Sequence, residues 1–141
     1  MKNWILLAFI SMIFAGITSV VAKMGMSKVS SDTGLAVRTM AVMLVVAVNS
    51  VFFNPFMQDA GKLTLKDIAI LSASGITAGL SWIFYFRAVK LGDVSQVALI
   101  DKGSIVLTVL LSVLILGEQF TWKTAVGGTL IVAGFLVLSL K

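Results

Sequence analysis

Long apolar runs, closed off by charged residues rather than lined by them, restrict this chain more than any other feature. The runs cover residues 4–22, ending at Lys23; 35–54, ending at Asn54-Pro55; 68–86, ending at Arg87; 94–116, interrupted by Asp101-Lys102; and 124–140, flanked by Trp122-Lys123 and Lys141. A helix needs about 20 apolar residues to cross the hydrocarbon core of a bilayer. None of the runs carries the polar face that a helix of a soluble bundle would turn to water. The reading is an all-α integral membrane protein, a five-transmembrane-helix bundle that forms one domain over residues 1–141. Its spans are expected at 4–22, 35–54, 68–86, 94–116 and 124–140, and Trp122, Lys123 and Lys141 serve as interfacial anchors for the last.

The connections are short and hold turn and cap residues: Ser30-Ser31-Asp32, Asp59-Ala60-Gly61-Lys62, Lys90-Leu91-Gly92-Asp93 and Gly117-Glu118. Proline at 55 should end or kink the second helix. Residues 1–22 also have the outline of a signal peptide, with Lys2, an apolar stretch and Val20-Val21-Ala22 as a cleavage site. That stretch exceeds the usual 7–15 residues of such a leader, so it is read as the first span.

Composition removes several function classes. Of 141 residues, 59% are hydrophobic and 12% charged, against about a quarter charged in a soluble domain. The chain has no histidine and no cysteine. Disulfides, imidazole or thiolate metal sites and catalysis built on His or Cys are therefore excluded. No serine dyad spacing or metal constellation is present, so no enzyme activity, metal or other cofactor is expected. A pI near 9.8 would suggest nucleic acid in a polar protein. Here the basic residues punctuate apolar runs, which points to membrane lipid and away from nucleic acid. No nucleotide-binding motif is present, so ATP does not drive work within this chain.

Five spans put the termini on opposite sides. Lys2, Lys62, Lys66 and Lys123 fall on the N-terminal side; Lys23, Lys28, Arg38, Arg87, Lys90, Lys102 and Lys141 fall on the other. Four against seven favours a cytoplasmic C-terminus. Without Arg38 and Lys102, which lie inside spans, the balance is four against five, the near-even count of a protein inserted both ways.

Polar side chains at membrane depth are costly and usually face protein or water. Asp101, Ser104, Thr108 and Ser112 fall on one face of the fourth span, and Ser74, Thr77, Ser81 and Tyr85 repeat the pattern in the third, beside Trp82. Arg38 and Asn49 share a face with Ala41 and Val45, and Gly16, Ser19 and Lys23 share one in the first span. Isolated hydroxyls are read as bonding to carbonyls one turn back or as joining helices. Asp101, about two turns inside its span, must take up a proton or find a cation. Arg38 is the expected partner and Lys23 the next, while Lys102 is placed to snorkel. A purely structural ion pair is the competing reading of Asp101 and Arg38. Because Lys23, Arg38, Lys102 and Asp101 sum to positive charge, an anionic or zwitterionic solute fits better than a cation. Glu118 is read as a solvated interfacial residue. Gly75 and Gly79 form a GxxxG, and Gly127, Gly128 and Gly134 mark the last helix as a candidate subunit contact.

Residues 86–102 read Phe-Arg-Ala-Val-Lys-Leu-Gly-Asp-Val-Ser-Gln-Val-Ala-Leu-Ile-Asp-Lys; Leu-Gly-Glu-Gln-Phe-Thr and Val-Gly-Gly-Thr-Leu-Ile-Val-Ala-Gly follow. Together with Phe14-Ala15-Gly16, Ala22-Lys23 and Val37-Arg38-Thr39, they resemble the EamA domain of the drug/metabolite transporter superfamily over essentially the whole chain. Most EamA proteins hold two five-helix units. With one unit, and Asp101-Lys102-Gly103 where many have a proline, this chain resembles the five-span bacterial/archaeal branch. The resemblance implies multi-pass insertion in the cell inner membrane and secondary transport of a small-molecule solute, often export, by alternating access between inverted repeats. A homodimer, antiparallel in the simplest case, would supply the second repeat. The small multidrug resistance relatives carry a carboxylate in the first span. This chain has none there, so their coupling scheme does not carry over.

The resulting expectation is a small secondary transporter, likened to exporters of polar metabolites or drug-like solutes, working as a dimer. Its substrate-binding and coupling residues would be Asp101, Arg38, Lys23, Lys102, Trp82, Tyr85, Ser104 and Thr108. The alternative is a non-transporting membrane subunit or scaffold whose buried charges are structural.

Overall fold

The computed structural model describes residues 3–52 and 59–139. In chain order they form α1 (Asn3–Gly25), α2 (Ser31–Phe52), α3 (Leu65–Leu91), α4 (Val94–Asp101), α5 (Ser104–Leu116) and α6 (Trp122–Ser139). No strand occurs among the described residues. Asn54 and Pro55, expected to end the second helix, lie outside them, as do Leu140 and Lys141.

Helix starts follow local hydrogen-bond chemistry rather than hydropathy, so three of the helices begin before their apolar runs. The Ser30 hydroxyl accepts the Thr33 N–H at 3.1 Å and opens α2. Thr64 and Asp67 form a reciprocal cap at the head of α3: Asp67 accepts the Thr64 N–H at 3.0 Å and Thr64 accepts the Asp67 N–H at 3.2 Å. Thr121 accepts the Thr124 N–H at 3.2 Å and opens α6. Each satisfies an amide that the helix itself leaves without a partner. At the other end, α3 runs on to Leu91, past the charge at Arg87, because a charge ends an apolar run without ending a helix. Gly117, at φ 68°, closes α5 in the left-handed region, and the Glu118 N–H returns to the Ser112 carbonyl at 3.2 Å.

The expected fourth span is helical at both ends and broken in the middle. The Gly103 N–H turns to the Ile100 carbonyl at 2.9 Å, and the Ile105 N–H turns to that of Lys102 at 3.1 Å. Both bonds reach back three residues, a tight 3₁₀ winding. The carbonyls of Leu99 and Asp101 thereby lose the donors that a continuous α-helix would supply.

Four helical stretches among the described residues are long and apolar enough to cross a membrane: Asn3–Gly25, Ser31–Phe52, Leu65–Leu91 and Val94–Leu116. Their large apolar side chains point outward, Leu7, Leu44 and Phe84 among them. A water-soluble protein does not expose apolar surface on this scale.

The chain divides into two compact units, Met1–Leu91 and Gly92–Lys141. In the first, α3 packs against both α1 and α2. Its small core is Met26, Phe86 and Val89, at the end where α1 turns into α2. In the second, α6 packs against α4 and α5.

Glycine matters sterically at one place in that core. A Cβ on Gly34 would come within 2.5 Å of Met26 Cγ, and Met26 is only 1% exposed. Gly34→Ala is expected to destabilise the protein by about 1–3 kcal/mol, the usual cost of overpacking. Gly75→Ala, whose Cβ would meet nothing within 4 Å, should leave thermal unfolding in detergent unchanged. Equal melting of the two variants would contradict this packing.

Candidate functional site

Arg38 lies two turns into α2, and α3 offers it two rings spaced four residues apart. Its guanidinium carbon lies 4.4 Å from the Trp82 ring centre and 5.4 Å from that of Phe86. Residues four apart share a helix face, so Trp82 and Phe86 form one aromatic shelf under the charge. Arg38 Nη1 is buried and has no hydrogen-bond acceptor among the described residues. The rings satisfy the charge but leave that N–H group without an acceptor.

The same arginine borders a cavity of about 920 Å³ between α1 and α2. Ala41 and Val45 line it with Arg38, the face that their spacing in sequence suggests, and Phe86 contributes from α3. On α1 the lining comes from Phe14, Ile17, Thr18 and Val21. Ser19 and Lys23 turn instead to α3.

Those two residues join α1 to α3. The Tyr85 hydroxyl donates to Ser19 Oγ at 2.7 Å. Lys23 Nζ donates to the carbonyls of Val89 at 2.5 Å and Lys90 at 3.3 Å, at the C-terminus of α3. Lys90 Nζ reciprocates by donating to the Met26 carbonyl just beyond α1. Each helix thus receives its C-terminal cation from the other, where the helix dipole favours positive charge. Beside them Arg87 holds Asp32 through Nε–Oδ1 and Nη2–Oδ2 contacts, both 3.2 Å. Lys90→Met removes one half of this exchange and strands a half-buried carbonyl. The expected loss is about 1–3 kcal/mol of stability, the scale of a charged hydrogen bond, read by thermal unfolding. An unchanged midpoint would mean that the clasp carries no stability.

In the second unit, Asp101 is the last residue of α4, at the helix break. Its Oδ2 is 3.8 Å from Lys102 Nζ, and both side chains remain partly exposed. Ser104 begins α5, and its carbonyl accepts the Thr108 hydroxyl at 3.0 Å. The Ser112 hydroxyl likewise bonds backward, to Val109 at 3.1 Å. Arg38 and Asp101, the pair suggested by the sequence, belong to different units, each with neighbours of its own. Glu118 is exposed. A second cavity, about 550 Å³, lies between α5 and α6 and is lined by Val109, Phe120 and Val132 with no charged residue.

Three features of this site were missed in the sequence. Phe86 was passed over as the end of a span, though its spacing from Trp82 marks a common face. Lys90 was read as a loop charge, though a cation in the last turn is a capping signal. The Asp32–Arg87 pair joins residues 55 apart and leaves no local signature.

The profile of the EamA-like transporter family matches residues 2–140. Over 138 residues the chain is 36% identical to a Sinorhizobium sp protein described as an uncharacterized transporter in the cobO 3′ region. The alignment covers 98% of this chain and 97% of that one. No solved structure matches.

Proposed function

The chain belongs to the EamA-like transporter family, and from that premise we propose a small secondary transporter of the cell inner membrane that exports a polar or drug-like solute as a dimer by alternating access. It is a multi-pass membrane protein. In this reading the whole chain is one membrane domain, and α6, 18 residues and about 27 Å long, completes the four long spans as the fifth. Arg38 anchors the solute over Trp82 and Phe86, while Lys23 and Tyr85 hold α1 against α3 around it. Asp101, with Lys102, Ser104 and Thr108 about the helix break, couples transport to an ion. The single observation that carries this reading is an arginine that lines a cavity of solute size and holds a buried, unpartnered N–H.

Further features support it. Asp101 is the sole acidic residue inside an apolar run, the other five standing at helix ends or in connections. The winding beside it frees two carbonyls, and irregular backbone at membrane depth persists where protein or a water-filled cavity receives it. Added Cβ atoms at Gly127 and Gly134 would meet nothing within 4 Å, which leaves that face of the helix open to a second copy. The near-even charge balance supports an antiparallel dimer.

Purified protein in vesicles should move a solute down its gradient, and faster when an opposing ion gradient is added. No flux of any anionic, zwitterionic or cationic solute would favour the scaffold reading, to which the locally bonded hydroxyls and the lysine clasp also lend support. Reporter fusions at both termini test the assembly: each terminus on both sides of the membrane is expected for an antiparallel dimer. A single orientation would contradict that arrangement.

A further inference from the structure

The cavity beside Arg38 has an asymmetric chemistry. Among the described residues Arg38 is its one charged lining residue, and no carboxylate borders it. Its two hydroxyls are already engaged: Thr18 donates to the Phe14 carbonyl at 2.8 Å, and Thr33 Oγ1 lies 2.9 Å from Ser30 Oγ. The rest of the wall is apolar, with Ile17, Val21, Val37, Ala41 and Val45 facing the space and Phe86 at its edge. Apart from the spare lone pairs of the two hydroxyl oxygens, the unused hydrogen-bonding capacity is donor, on Arg38. An arriving anion satisfies it in the two-pronged geometry that Arg favours. An arriving ammonium would find no countercharge among the described lining residues and only hydroxyl lone pairs to accept its protons, and burying it unpaired is costly.

Resting on the transporter reading of this site, we propose that the cavity selects an anionic group on an apolar body with no cationic group: a monocarboxylate amphiphile, as opposed to a zwitterion or an amine. The carboxylate binds the outer side of the Arg38 guanidinium, and the apolar body lies between α1 and α2. The cavity's 920 Å³ suits a single-ring or medium-chain acid. Because Trp82 lies beneath the guanidinium, binding changes the environment of its indole.

The chain has three tryptophans, and Trp4 and Trp122 are 63% and 82% exposed. Trp4→Phe/Trp122→Phe therefore leaves Trp82 as the sole reporter in the full chain. Its fluorescence would be titrated in phosphatidylcholine nanodiscs at pH 7 with 3-phenylpropionate, phenylalanine and phenethylamine, which share a ring and spacer and differ in charge. The expected result is saturable binding of 3-phenylpropionate at least tenfold tighter than phenylalanine, with no response to phenethylamine. Arg38→Gln should weaken the acid at least tenfold. The ranking among ligands needs no variant, so it stands even if Arg38→Gln fails to fold. Equal or tighter binding of phenylalanine or the amine, or binding of none of the three, overturns the proposal.

An anionic phospholipid headgroup offers the same chemistry as a free acid. Repeating the titration in phosphatidylglycerol nanodiscs separates the two sources. A shift of only the few-fold that surface potential produces supports a free solute, whereas abolished binding overturns that assignment in favour of lipid. Binding without flux in vesicles would sink the transporter reading alone, and flux of zwitterions without acid binding would sink this inference alone.

Discussion

Arg38→Ala is expected to lower solute flux in proteoliposomes about a hundredfold, while Arg38→Lys restores only a small part of it. Truncating one side of a desolvated charge pair costs about 2–5 kcal/mol, and each 1.36 kcal/mol is a factor of ten. Lysine keeps the charge but loses the planar fork and the stacking surface that place it over Trp82 and Phe86. The same substitution should leave the fold in place. Arg38 Nη1 makes no hydrogen bond within the described chain, so its removal strands no partner there, and the lost stacking amounts to about 0.5–2 kcal/mol. Flux lost with folding kept is what separates a solute anchor from a structural latch. Flux and thermal midpoint falling together would favour the latch.

Asp101→Asn is expected to abolish uphill transport, a loss of tenfold or more in gradient-driven accumulation, while downhill flux continues. Asparagine keeps the shape of the side chain and cannot gain or lose a proton or balance Lys102 at 3.8 Å. The helix break should survive the change, since the Gly103 and Ile105 N–H bonds that define it are backbone to backbone. Accumulation driven by a pH gradient in the variant, at the level of the unaltered protein, would remove Asp101 from the coupling path.

The helices were legible in the sequence because hydropathy reports what a segment can bury in lipid, and four helices among the described residues are long and apolar enough to cross. Their ends were less legible. Ser30, Thr64 and Thr121 start helices through side-chain caps that hydropathy does not register. The last turn of α3 continues past Arg87 because Lys23 from α1 satisfies its carbonyls. The interruption at Asp101-Lys102 was visible as charge, and the structure gives it a backbone form, three bonds that reach back three residues.

The site was legible in its residue types and less so in its pairings. Arg38, Trp82 and Tyr85 stood out as polar or amphipathic groups at membrane depth. Periodicity gives the face of one helix and not the neighbour it meets. Arg38 rests on aromatic rings and Lys23 reaches backbone carbonyls, contacts between residues more than forty apart that no local pattern encodes.

Solvent access beside Arg38 tests most directly whether this charge borders a watery solute chamber. The chain has no cysteine, so Val42→Cys, in the cavity wall, and Leu44→Cys, 66% exposed on α2 outside that wall, give clean single reporters. A charged, membrane-impermeant thiol reagent is expected to label Val42→Cys rapidly, to be slowed by 3-phenylpropionate, and to leave Leu44→Cys unmodified. Labelling of both positions by a lipophilic maleimide alone, with no protection by solute, would show a dry, lipid-facing groove and contradict the chamber.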